Sequence, residues 1–167
     1  MTSNEDQASG AVVNATGIRG FDGELGTVIQ SLTIDGLVAT IELSPKHHQP
    51  FGIVHGGVYC AVAESTASTS GYNWLQETGI GGTAVGVNNN TDFLRSISSG
   101  TITARTSPIH RGRRQQLWAV EIFDEQDRMV ARSQVRLQNI ELPEGATAPQ
   151  DVPASDGGSV AQGTSSQ

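Results

Sequence analysis

Apolar and polar positions along this 167-residue chain fall into two kinds of pattern. Residues 25–34 and 37–43 have strand character and are joined through Asp35-Gly36, a strong hairpin signal, so the first two strands are expected to pair. The run Ser44-Pro45-Lys46-His47-His48-Gln49-Pro50 then interrupts the pattern. From residue 57 to about residue 76 small and apolar side chains dominate without strict alternation, and that length favours one helix. Its many Ala, Ser, Thr and Gly residues let it lie close against a sheet or another helix. Gly71 and the threonines lower its intrinsic propensity, so tertiary packing must stabilise it. After Gly79-Ile80-Gly81-Gly82, residues 83–94, 100–110, 115–124 and 129–142 carry four further strand patterns separated by Gly, Ser or acidic turns. Two strands, a long helix and four strands predict an α+β domain in which an antiparallel sheet of about six strands wraps one central helix.

Inside the apolar run of the predicted helix stands one carboxylate, Glu64, beside Val62, Ala63 and Ala67. Burying an ionised carboxylate without a partner is costly, so Glu64 is either a chemical group or an exposed position on an amphipathic helix. His55-Gly56-Gly57 opens that helix with backbone N–H groups that have no intrahelical acceptor, and such a terminus attracts an oxygen gaining negative charge. Gly56 either serves the tight turn into the helix or lets such an oxygen approach the backbone, and the two roles are compatible. Gly56 and Glu64 are eight residues apart, which on one helix is about 12 Å at about 1.5 Å per residue. One carbonyl can hardly touch both. If both act on one substrate, a second copy of the chain must supply the glutamate.

The run 49–64, with Ser68 one turn later, resembles the HGG-containing segment of hotdog-fold acyl-CoA thioesterases. The similarity is greatest to the 4-hydroxybenzoyl-CoA and 1,4-dihydroxy-2-naphthoyl-CoA thioesterase branch of the PaaI-like group. It continues through Val85-Gly86, Asn90, Arg95-Ser96, Gly100, the run Pro108-Ile109-His110-Arg111-Gly112-Arg113-Arg114 and Phe123-Asp124-Glu125, and covers about residues 21–142. The resemblance implies a hotdog fold and a hydrolase of an aromatic acyl-CoA. In it, Glu64 attacks the thioester carbonyl or activates water, and Ser68 positions the water or the carboxylate. The Gly56 N–H polarises the carbonyl, Gln49 contacts the reacting centre, and His55 orients the loop or hydrogen-bonds near the thioester. Asn90, Arg95, His110, Arg111, Arg113 and Arg114 would bind coenzyme A, the arginines being suited to phosphate oxygens. The relatives often carry histidine where this chain has Phe93. The implied assembly is a homodimer as the minimal unit and a homotetramer beyond it.

Without the resemblance these residues have plainer readings: Ser68 an ordinary helical serine, Gln49 a loop residue, the arginines a solvated cluster. Cys60 reads as a small core residue, and Tyr59, Tyr72 and Trp74 as packing residues. A net charge of −7 argues against nucleic-acid or anionic-membrane partners. One cysteine excludes an internal disulfide framework, and four scattered histidines lack zinc-ligand spacing, so no cofactor or metal is expected. Residues 1–16 are read as a flexible segment, 17–142 as the domain and 143–167, rich in Gly, Ser and Gln, as a disordered tail. Neither a secretory signal nor a membrane span is evident, and a cytoplasmic location follows by default. The rival readings are a medium-chain acyl-CoA or acyl-carrier-protein thioesterase and a non-catalytic acyl-CoA-binding module.

Overall fold

The computed structural model describes residues 20–142; the expected N-terminal segment and C-terminal tail lie outside the described residues. A short helix α1 (Phe21–Leu25) leads into β1 (Val28–Thr33) and β2 (Gly36–Glu42). A 3-10 turn (Pro45–His47) and a loop precede α2 (Gly56–Glu77). There follow β3 (Thr83–Phe93), β4 (Thr101–Arg111), β5 (Gln115–Phe123) and β6 (Met129–Ile140). All six strands form one antiparallel sheet in the order β1-β2-β4-β5-β6-β3, with α2 packed on one face. This is the expected α+β hotdog architecture. The one difference in element type is at residue 25, where the first predicted strand begins. There the chain makes a turn of helix ending on Gly26 in the left-handed region, and strand pairing starts only at Val28.

Strand alternation puts the core where the pattern predicts. Ile102 and Ala104 of β4, Trp118, Val120 and Ile122 of β5, and Val135 and Leu137 of β6 are buried against Val58, Val62, Ala63 and Ala67 of α2. Full burial of a side chain such as Ile41 or Leu75 contributes about 1.5–3 kcal/mol. The small residues of α2 permit the close approach. A β-carbon on Gly71 would fall on Leu137 of β6 and crowd the Gln116 side chain, and the hydroxyls of Thr66 and Ser70 turn back onto helix carbonyls. At the β1–β2 hairpin, Gly36 has φ 147° and no room for a β-carbon beneath the Thr106 carbonyl of β4.

Two features of the sheet position the site. β3 is an edge strand of 11 residues that pairs with β6 along one side only among the described residues. Its register shifts between Gly86 and Asn88. The shift reverses the alternation, so that Gly86, Asn89, Thr91 and Phe93 all face α2, whereas Asn88, Asn90 and Asp92 pair with the outward-facing Arg136, Gln134 and Arg132.

Candidate active site

The start of α2 is held from both sides. His55 is its N-cap: the backbone is extended and the ring Nδ1 accepts the Gly57 N–H at 2.8 Å. A neutral ring that accepts at Nδ1 carries its proton on Nε2. The His55 N–H donates to the His47 carbonyl, and His47 is buried, with its Nδ1 accepting from Ser44 N–H and its Nε2 on the Leu25 carbonyl. Between these anchors the chain makes a tight loop, Gln49 N–H to Ile53 O and Gly52 N–H to Gln49 O, with Gly52 at φ 78°. The Gln49 Oε1 accepts the Phe51 N–H, which leaves its Nε2 without an acceptor among the described residues.

A cleft of about 560 Å³ opens over this loop and the first turn of α2. Gln49, His55, Gly56, Tyr59, Phe93 and Arg95 line it, so four of the residues singled out in the sequence, from two separate segments, meet in one place. As the first residue of the helix, Gly56 has no intrahelical acceptor for its N–H, and no other acceptor meets it among the described residues. The Phe93 ring lies directly against Gly56, with ring carbons about where a β-carbon would need space, and stands 6.1 Å from the Tyr59 ring. Tyr59 is buried and its hydroxyl has no hydrogen-bond partner among the described residues. Burial, reinforced by the charge of Asp124, pushes that phenol up to about 12. The cleft thus pairs a backbone donor with an aromatic wall of Phe93 and Tyr59, the latter also buried in the core as the sequence reading expects of a packing residue.

Glu64 lies elsewhere. It is half-buried two turns further along α2, against β3. The notch it occupies exists because residue 86 is glycine: a β-carbon there would overlap the carboxylate. Its Oε1 accepts from Ser68 Oγ and its Oε2 from Asn89 Nδ2, both at 3.4 Å, near the outer limit of a hydrogen bond. No Lys, Arg or His forms an ion pair with it among the described residues. Asn89 is the better-anchored neighbour. It donates to the Cys60 carbonyl at 2.9 Å and accepts from Thr91, which in turn meets Ser133. Asn89 escaped the sequence reading, which singled out Asn90. Only the shifted register of β3 decides which asparagine faces the helix, and an alternation count along the strand cannot see it.

The residues expected to hold coenzyme A do not form one cluster. His110, Arg113 and Arg114 border a polar hollow of about 1180 Å³ beside the β4–β5 turn. Arg95 belongs to the cleft at Gly56. Asn90 lies on the outer face of the sheet, lining a smaller recess with His110, Gln134 and Arg136. Arg111 points back to the other end of the hairpin pair: it donates to the Ile34 carbonyl at 2.8 Å, pairs with Asp35 at 3.0 Å and lies over the Trp74 ring. Among the described residues, no group of three His, Cys, Asp or Glu side chains is placed to hold a metal ion, and no helix is long and apolar enough to cross a membrane.

A helix start whose first N–H has no acceptor among the described residues, an adjoining cleft and a carboxylate with weak tethers suit hydrolysis at a carbonyl, and the molecule's relatives are named for that chemistry. Residues 51–131 match the model of the Thioesterase superfamily. Rv1847 of Mycobacterium tuberculosis, which has a provisional esterase name, is 58% identical over 121 residues, or 72% of this chain and 86% of its own. Its solved structure aligns at 56% identity with a TM-score of 0.71, over 74% of this chain and 98% of that one. The proofreading thioesterase EntH of Cronobacter sakazakii is 35% identical over 123 residues, covering 74% and 88% of the two chains. The solved structure of thioesterase HI1161 from Haemophilus influenzae aligns at 36% identity with a TM-score of 0.69, over 75% and 86%. Fold and relatives together define a thioester hydrolase. The chain belongs to the thioesterase superfamily, in its hotdog-fold form.

Proposed function

We propose that the protein hydrolyses an aromatic acyl-CoA to the free acid and coenzyme A, at sites shared between two protomers. One observation carries this reading: the unpaired Gly56 N–H and the loosely held Glu64 stand eight residues apart on one continuous helix, about 12 Å along its axis. In this reading, one protomer's helix start binds the thioester oxygen and its partner's Glu64 reaches the carbonyl carbon. The free edge of β3 supports such a pairing. It is long, and Val85 and Val87 on it are 40% and 52% exposed.

At the shared site the Gly56 N–H, aided by the helix dipole, stabilises the oxyanion that forms on attack. Glu64 acts by one of two routes. It adds to the carbonyl and forms a mixed anhydride that water then opens, or it takes a proton from a water that adds directly. In the first route the C–O bond to Glu64 replaces the C–S bond and is itself broken when water adds. In both, the net change is one C–S bond broken, one C–O bond formed from water and a proton delivered to the departing thiolate. Ser68 and Asn89 hold the carboxylate without exhausting its lone pairs. Gln49 Nε2 and His55 Nε2–H are donors available at the cleft. Tyr59 and Phe93 support an aromatic acyl group, since flat rings stack favourably against such walls. Arg113, Arg114 and His110 would receive the nucleotide phosphates, with Arg95 nearer the thioester. Arg111, committed to the Ile34 carbonyl and Asp35, contributes through the β1–β2 turn it holds, and Asn90 lines the recess beside His110.

The test mixes two inactive variants. Glu64→Gln removes the carboxylate, and Gly56→Pro removes the N–H at a first helical position where His55 already has the extended backbone that precedes proline. Because the new β-carbon displaces the Phe93 ring, Gly56→Ala, which adds that carbon and keeps the N–H, is the control. Each mixed dimer then keeps one intact site, so random exchange should restore roughly a quarter of wild-type activity on benzoyl-CoA, with straight-chain acyl-CoAs hydrolysed more slowly. No recovery despite verified exchange rejects the shared site. Faster turnover of straight chains rejects the aromatic substrate.

A further inference from the structure

Beneath the arginine turn lies a polar network that the hydrolytic site does not use. Gln116 is fully buried among apolar residues, a costly place for an amide unless every polar atom is satisfied. They are: its Oε1 accepts from Trp118 Nε1, and its Nε2 donates to the Gly71 carbonyl of α2 and to Asn139 Oδ1 at 2.7 Å. With its oxygen so fixed, the Asn139 amide turns its Nδ2 toward the β4–β5 connection. There it donates to the carbonyls of Gly112 at 3.0 Å and Arg113 at 3.1 Å, while the Asn139 backbone N–H donates to the Arg114 carbonyl at 2.9 Å. One residue therefore gathers three successive carbonyl oxygens.

Geometry gives that grouping a consequence. In a trans peptide the N–H points opposite to the carbonyl of the preceding residue. With the Gly112 and Arg113 carbonyls drawn onto Asn139, the N–H groups of Arg113 and Arg114 point away from it. Neither has a backbone or side-chain acceptor among the described residues. The two side chains are exposed and form no ion pair with described residues, and the turn borders the polar hollow of about 1180 Å³. Adjacent N–H groups aimed the same way form an anion-binding concavity, and two guanidinium groups reinforce it.

We propose that Asn139, locked by Gln116, is a positioning residue for coenzyme recognition: it sets the 112–114 turn so that backbone N–H groups and both arginines present themselves to one phosphate of the substrate. This rests on the acyl-CoA reading above. Three enzymes are compared, Asn139→Ala, the volume-conserving Gln116→Met and the double variant Arg113→Ala/Arg114→Ala, each on benzoyl-CoA and on benzoyl-pantetheine, which lacks the nucleotide phosphates. Asn139→Ala should raise KM for benzoyl-CoA about five- to tenfold, leave kcat within about twofold and leave benzoyl-pantetheine unaffected. Gln116→Met should do the same more weakly, and it decides the matter if Asn139→Ala does not fold. Equal losses on both substrates, or a fall in kcat alone, would mean that the network merely supports the fold and would overturn the proposal. If the arginine variant raises KM for benzoyl-CoA but neither network variant does, phosphate binding stands and the positioning role falls. If the arginine variant has no effect either, the phosphate reading itself fails, and this inference with it.

Discussion

Asp124, in the β5–β6 turn, accepts the N–H groups of Gln126 and Arg128 on Oδ1 at 3.0 Å each, and the Arg128 guanidinium on Oδ2 at 2.7 and 2.8 Å. Those bonds, the Arg128 side chain first among them, hold its carboxyl below the usual carboxylate range. Glu64, on α2, has two neutral donors at 3.4 Å and no cation. Both carboxylates are at least partly covered, yet one has spent its lone pairs on the fold and the other has kept them. On the proposed reading of Glu64, the difference teaches how to tell a structural acid from a reactive one when residue type and burial do not. A carboxylate that organises a turn is saturated by short, charge-assisted bonds. One that must meet a carbonyl or a water is steered by a few weak ones.

The sharpest way to break the comparison is to neutralise each carboxylate in turn. Glu64→Gln should lower kcat for acyl-CoA hydrolysis by about two orders of magnitude or more while its thermal melt stays close to that of the wild type. Normal turnover in a preparation free of deamidated protein would place Glu64 among the structural acids. Asp124→Asn should do the reverse, leaving kcat within about twofold and lowering Tm and the urea midpoint. Because its folded-state pKa is depressed, Asp124 contributes stability that is present above its unfolded value of about 3.9 and lost as pH falls through the folded value. The gap between Asp124→Asn and wild type should thus be full near neutrality and close in acid. A gap that ignores pH would show that the charge is not its source. The smallest effect belongs to Ser68→Ala. It deletes one long bond to Glu64 and should cost about two- to fivefold in kcat, with KM unchanged.

Much of this architecture was legible in the chain. Period-two stretches and Asp35-Gly36 located the strands and the first hairpin, and the long small-residue segment located α2, because each signal is local and repeated. The residue pattern put His55 and Gly56 at the helix start and Glu64 inside the helix, and the eight-residue spacing survived intact because the helix runs unbroken from Gly56. What escaped depends on contacts made across the fold. The shifted register in β3 turns Asn89 toward Glu64, a contact that no count of alternation along the strand shows. Arg111 looked equivalent to Arg113 and Arg114, and only the packing of the β1–β2 turn beside the end of β4 commits it to Asp35 and Ile34. Asn139 carries no motif at all, and the three carbonyls it gathers come together only in the folded turn. The aromatic wall was hidden for a similar reason: Tyr59 and Phe93 are 34 residues apart in sequence and meet only because the end of β3 crosses the start of α2.

The outer edge of β3, unpaired among the described residues, makes catalysis, on the shared-site reading, a matter of mass action. A protomer alone would hold half of two sites and an open row of backbone donors and acceptors. Activity per protomer would then fall on dilution below the dimer's dissociation constant, so that total rate scales with the square of concentration, and substrate, which bridges both halves, would draw the protomers back together. The same edge that completes the enzyme in company would be its aggregation hazard in isolation. Synthesis rate and cellular abundance would thereby set more than how much enzyme there is; they would set how much of it is switched on.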